Sequence, residues 1–175
     1  MIHRRVVIAV ALAALGGCSA KSARSAMPDA RPVVSPKGGS VDSDIAKVRA
    51  ATAAYRVLDS AVAAGYPREV ATCLQHPTMG VMGFHHINGK LVDDILDPAH
   101  PEILLYSHGP KGEYTLNGVE FIVPYSVHSR DAAPPTVLGQ SLKRSDPLKL
   151  WYLHAWVWTE NPSGLFADYN PNVTC

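Results

Sequence analysis

The spacing of apolar side chains changes once along this chain, and that change constrains the fold more than any other feature. Between residues 45 and 62, side chains suited to a core recur in steps of three and four, as on one face of a helix: Ile45, Val48, Thr52, Tyr55, Leu58 and Val62. Asp42 or Ser43 is placed to cap this helix, and Gly65 to end it. Pro67 suits the first turn of a second, shorter helix over residues 68–74.

Beyond these helices the pattern favours extended structure. We predict strands over residues 79–88, 102–106, 114–123 and 150–159, the last being rich in Trp, Tyr and Val. The glycine- and proline-bearing loop over residues 109–112 should join the second and third strands as a hairpin. One or two N-terminal helices packed on an antiparallel β-sheet make this an α+β domain.

The N-terminus has the pattern of a secretory signal peptide over residues 1–17. Arg4 and Arg5 precede an apolar run of about ten residues, which is too short to span a bilayer as a stable helix. The segment Leu15-Gly16-Gly17-Cys18 resembles the lipobox of bacterial lipoproteins, which implies that Cys18 becomes the lipidated first residue. The alternative is an ordinary secreted protein with an incidental cysteine at the cleavage site.

Residues 18–41 have the composition of a flexible tether, and residues 42–175 should form a single domain. The tether contains four basic residues and one acidic residue, whereas the domain contains 10 basic and 14 acidic residues, a net charge of −4. A mildly acidic domain argues against nucleic acid as a partner. We expect a lipid-anchored protein of the cell envelope, facing the periplasm or the exterior, whose protein or small-molecule partner is left open.

Two cysteines remain once Cys18 carries lipid. In an exported chain Cys73 and Cys175 most simply form a disulfide, and the turn-rich tail before Cys175 can loop back to reach Cys73. A redox-active or metal-binding thiol pair is the alternative, although the chain has no Cys-x-x-Cys spacing.

Two ionisable residues interrupt strands that are otherwise apolar. Glu120 should share a face with Leu116 and Ile122, and His154 should lie on the face of Tyr152, Trp156 and Trp158. A carboxylate in such surroundings must be paired, protonated or bound to a metal. We predict that Glu120 and His154 face one another on neighbouring strands.

Two further ligands are candidates for the same site. Strand neighbours point to opposite faces, so His85 and His86 cannot both enter it, and Gly83 on the face of His85 favours His85. Glu102 is the fourth candidate. Two histidines and a carboxylate suit zinc, copper or iron. The alternative is a purely structural Glu120–His154 pair in a non-catalytic lipoprotein that binds a ligand or a protein.

The sequence contains no motif that establishes an enzymatic reaction. It lacks Gly-x-Ser-x-Gly, His-Glu-x-x-His and a phosphate-binding glycine loop, so catalysis is left open. A metalloenzyme would need an open coordination position inside a pocket. Four more histidines adjoin Pro, Gly or Ser and are expected in solvated loops: His76, His100, His108 and His128.

Several short segments of the domain resemble an uncharacterised group of exported bacterial proteins. They include Met82-Gly83-Phe84-His85, Leu96-Asp97-Pro98 and Gly118-Val119-Glu120, and the tail from Asn161-Pro162 to Cys175. The resemblance implies a defined exported domain and carries no activity with it.

Overall fold

The computed structural model describes residues 40–67 and 72–175. The signal peptide, Cys18 and the tether up to residue 39 lie outside the described residues, as do residues 68–71 of the predicted second helix. No helix in the described part of the chain is long and apolar enough to cross a membrane.

The N-terminal helical region is divided into three segments rather than the single predicted helix. Helix α1 spans Val41–Thr52, a 3₁₀ turn follows over Ala53–Arg56, and helix α2 spans Leu58–Ala63. The cap is Ser40, whose side chain accepts a hydrogen bond from the backbone N–H of Ser43. The predicted face is confirmed in α1, where Ile45, Val48 and Thr52 are buried.

The break between the two helices changes which residues of α2 face the core. Val57 is extended, with φ −97° and ψ 111°, so the helical phase restarts at Leu58. Leu58 and Ala61 are therefore buried, while Val62 is exposed, contrary to the prediction. The prediction of helix up to residue 74 is also wrong, because Leu74 lies in a strand.

Within the described residues, eight strands follow the helices. They are β1 (Leu74–His76), β2 (Gly80–Ile87), β3 (Ile103–His108), β4 (Tyr114–Pro124), β5 (Thr136–Val137), β6 (Gln140–Ser141), β7 (Lys143–Ser145) and β8 (Leu150–Ala155). Six of them form an antiparallel sheet in the order β1-β2-β3-β4-β8-β7, which curls into a half-barrel, and β5 pairs with β6. The α+β class and the β3–β4 hairpin are confirmed.

Both faces of the sheet are buried, against different parts of the chain. On one face, which we call the helix side, Val48 of α1 and Ala61 of α2 pack into a core with Leu104 and Phe121. Two hydrogen bonds also tie α1 to the segment after β8: Arg49 Nε donates to the Val157 carbonyl, and Trp158 Nε1 donates to Thr52 Oγ1. The second, smaller core covers the other face, and we call that face the tail side because the C-terminal tail packs there. It contains Cys73, Val81, Ile103, Leu105, Ile122, Trp156 and Val173.

An irregularity in β4 corrects one predicted face. The register with β3 jumps, so that Leu105 pairs with Gly118 while Tyr106 pairs with Leu116, and Asn117 is the extra residue. Leu116 therefore packs in the helix-side core, not beside Glu120. Trp158 also lies on the helix side, because β8 ends at Ala155 and the chain then bends to donate from Trp158 N to the Asn117 carbonyl.

The C-terminal tail is held against the sheet by a disulfide and a backbone bridge. Cys73 and Cys175, 102 residues apart in sequence, are bonded as predicted, with their Cα atoms 5.8 Å apart. Val81 of β2 exchanges two backbone hydrogen bonds with Asn170. Gly80 is required beside this bridge, since its φ is +97° and a Cβ there would collide with the Asn170 backbone.

Candidate metal centre

Three of the residues predicted as ligands meet on the tail side of the sheet. His85, Glu120 and His154 lie on β2, β4 and β8 and each offers one ligand atom, and these three atoms lie within 4.8 Å of one another. Glu120 and His154 are directly paired across the β4–β8 ladder, as predicted. His85 reaches Glu120 across β3, which lies between their strands.

Glu120 lies between the two imidazoles. Its Oε2 is 3.3 Å from His85 Nε2, and its Oε1 is 3.8 Å from His154 Nε2. A separation of 3.8 Å is too long for a hydrogen bond. Glu120 and His154 therefore lie at ion-pair distance without a hydrogen bond between them.

The three side chains are nearly enclosed, and several of their nitrogens are unsatisfied. The exposed fractions of the side chains are 11% for His85, 8% for Glu120 and 2% for His154. Within residues 40–67 and 72–175, neither nitrogen of His154 has a hydrogen-bond partner, nor has Nδ1 of His85. A buried polar atom without a partner costs about 1–3 kcal/mol, so such atoms call for a physical explanation.

Electrostatics keep Glu120 in the form that binds cations. Burial by itself raises the pKa of its carboxyl group, but the neighbouring His154 and His85 lower it more, and the net shift is downward. Glu120 is therefore a carboxylate at neutral pH, and it carries a negative charge between two nitrogen donors.

Asp168, in the C-terminal tail, lies on the other side of the His154 ring. Its Oδ1 is 3.8 Å from His154 Nδ1, and its carboxylate also contacts Lys143 Nζ and the Tyr152 hydroxyl. Although burial raises the pKa of Asp168, His154 and Lys143 lower it to about 2. Sequence reasoning missed Asp168 because the tail reads as turns, and the only available signal was that the tail must return to Cys73.

A pocket opens in front of the three residues. Its volume is about 500 Å³, and His85, Glu120 and His154 all line it. The remaining walls are largely aliphatic, with Leu74 and Leu148 exposed at the outer end. A volume of this size lies within the range of about 300–1,000 Å³ that is usual for small-molecule sites.

The other two candidate ligands lie outside this group of three. His86 is fully buried on the helix side, where its ring packs on Tyr106, so the expected divergence of His85 and His86 is confirmed. Glu102 is also buried, and its Oε2 accepts a hydrogen bond from the Ile122 backbone N–H. Burial raises the pKa of Glu102 to about 8, so its carboxyl group is protonated at neutral pH.

Three of the four histidines expected in solvated loops depart from that prediction. His76 and His108 end strands β1 and β3 and are partly buried, and His108 stacks on Phe84. His128 is buried, and its Nε2 lies 2.8 Å from the Ala133 carbonyl. His100 is exposed and pairs with Asp97 at the surface.

Comparisons of the chain with protein-family models, with curated proteins and with solved structures found no match. The resemblance to an uncharacterised group of exported proteins therefore stays a prediction.

Proposed function

We propose that this protein binds a divalent transition-metal ion through His85, Glu120 and His154. The observation that carries the proposal is the buried group of two imidazoles and one carboxylate, in which both nitrogens of His154 lack a hydrogen-bond partner among the described residues. A bound cation would use one of these nitrogens and would neutralise the charge of Glu120. Two nitrogen donors and one oxygen donor fit zinc, iron or copper.

The surroundings of His154 support the use of Nε2 as its ligand atom. Nε2 is the nitrogen on the side of Glu120, whereas Nδ1 is directed at Asp168. Histidines that bind metals usually donate their second ring N–H to a carboxylate, which fixes the tautomer and the orientation of the ring. Asp168 is placed to accept that proton once the ring moves within hydrogen-bond range.

The pocket supports a site that exchanges ligands rather than a closed structural one. Structural zinc sites in proteins use four protein ligands, whereas sites with three leave a position for water or another molecule. Here three residues converge and all of them line the pocket. A non-catalytic binding function and a catalytic one would both use that open position.

We further propose that the domain works in the cell envelope, anchored through lipid on Cys18. The Cys73–Cys175 disulfide is consistent with a location outside the cytoplasm, because such bonds persist in oxidising compartments. The anchor itself is supported by the sequence of residues 1–18.

The metal proposal is tested by titrating zinc into purified protein freed of metal. Wild type should bind one ion per chain, and His154→Ala should lower the affinity more than about 100-fold, beyond the effect of losing a supporting residue. His100→Ala is the matched control, since His100 is an exposed histidine paired with Asp97. Equal zinc affinity in the wild type and in His154→Ala would contradict the proposal.

A further inference from the structure

The pocket in front of the proposed metal ligands has largely aliphatic walls, and the three proposed ligands lie at its inner end. The aliphatic walls include Leu74, Met82, Ile87, Ile103, Leu148 and Leu150, and three other polar residues line the pocket as well: Thr72, Ser145 and Tyr152. Leu148 is 69% exposed and Leu74 is 51% exposed, while His154 is almost fully buried. The apolar walls therefore run from the protein surface inward to the three ligands.

The charge of the inner end depends on the metal. Among residues 40–67 and 72–175, no lysine or arginine lines the pocket. Glu120 is the one carboxylate among these described lining residues, and an anion placed beside it meets a like charge. A divalent cation adds two positive charges at this end, and a bound cation is usually the strongest local charge in a site. An anionic group should thus be held at this end much more tightly when the metal is present.

We propose that the pocket binds a small aliphatic carboxylate, with the carboxylate on the metal and the hydrocarbon tail along the apolar walls. This inference rests on the proposed metal function. Three protein ligands leave a coordination position facing the pocket, and a carboxylate oxygen is a suitable donor for zinc and iron. The aliphatic walls then favour a hydrocarbon tail, because apolar surface leaving water drives its binding.

Decanoate is the probe, added after a zinc titration that is analysed separately. Calorimetry should show that zinc-loaded protein binds decanoate at least tenfold more tightly than zinc-free protein. Octanoate should bind about 15-fold more weakly than decanoate, since each buried methylene contributes about fourfold in affinity. Decanol, which has the tail without the carboxylate, should bind with the same affinity whether or not zinc is present.

Two exposed apolar residues provide a matched pair of variants. Leu148→Asp places a charge on the outer wall of the pocket and should weaken decanoate binding at least tenfold while zinc is still bound. Val127→Asp adds the same charge at a residue that is 51% exposed and does not line the pocket, so decanoate binding should be unchanged.

The outcomes separate the inference from the function on which it rests. Zinc binding without decanoate binding, or equal decanoate affinity with and without zinc, would overturn the inference and leave the metal site intact. An unchanged decanoate affinity in Leu148→Asp would also overturn it. A failure to take up zinc in the first titration would remove the metal proposal and the carboxylate ligand together.

Discussion

The replacement Glu102→Gln should make the domain more stable at high pH and should hardly change its stability at low pH. Burial raises the pKa of Glu102 from 4.5, its ordinary value, to about 8 in the folded protein. The unfolded chain therefore releases this proton first, and stability falls as the pH rises from 4.5 to 8. A glutamine of the same shape can still accept the Ile122 hydrogen bond and has no proton to lose.

The size of the effect follows from the two pKa values. One unit of pKa difference corresponds to about 1.4 kcal/mol. Between pH 5 and pH 9 the wild type should thus lose about 4 kcal/mol through this residue, a large part of the stability of about 5–15 kcal/mol that is usual for a domain. The free energy of unfolding of Glu102→Gln, relative to that of the wild type, should rise by the same amount over this pH range.

Urea unfolding at a series of pH values, with a chelator present, measures this difference directly. Subtracting the wild-type free energy at each pH removes the titration of all other groups. Glu160→Gln is the control, because Glu160 is exposed. The free energy of unfolding of this variant, relative to the wild type, should not change with pH. The difference in free energy of unfolding between Glu102→Gln and the wild type could instead change by less than about 1 kcal/mol from pH 5 to pH 9. In that case, the conclusion that Glu102 is protonated in the folded protein at neutral pH is wrong.

Three further predictions concern the disulfide, Asp168 and the anchor. The double variant Cys73→Ala/Cys175→Ala should have a free energy of unfolding lower by up to about 4.7 kcal/mol in the chain-entropy model. Denaturant unfolding without reductant measures this loss, and a loss below about 1 kcal/mol would contradict the prediction. Asp168→Asn should weaken zinc binding by about 10–100-fold without abolishing it, as zinc titration can measure, and an unchanged affinity would exclude Asp168 as a positioning residue. In the bacterial host, labelled fatty acid should be incorporated into the wild type and not into Cys18→Ser, and an unlabelled wild type would refute the lipid anchor.

The pairing of Glu120 with His154 could be predicted because it depends on local regularities. Side chains alternate along a strand, and each of the two strands carries one residue that does not suit an apolar core. Such a residue can be recognised from the amino-acid sequence alone. The disulfide was predictable for a similar reason, since two cysteines of an exported chain leave one intramolecular pairing.

The errors arose where the backbone departs from a regular period. The extra residue Asn117 places Leu116 on the face of the sheet opposite to the predicted one. The extended Val57 shifts the helical phase, so that Ala61 is buried in place of Val62. A sequence pattern of fixed period cannot reveal such local shifts. They become visible only when strand partners and helix breaks are known.

Asp168 and the pocket are tertiary features that no local pattern could indicate. Asp168 approaches His154 because the tail is folded back by the disulfide and by the bridge between Val81 and Asn170. The pocket lies between residues drawn from the segment around Leu74 and from the β7–β8 turn, which are far apart in sequence. Predicting either of them requires the path of the whole chain.

The central claim is tested most directly by anomalous diffraction at the zinc edge from crystals of the zinc-loaded protein. The account predicts one strong peak, about 2.0–2.2 Å from Nε2 of His85, Nε2 of His154 and a carboxylate oxygen of Glu120. It also predicts that Asp168 lies within hydrogen-bond distance of His154 Nδ1 in that state. A peak only at surface residues such as Asp97 and His100, or no peak at all, would contradict the metal site.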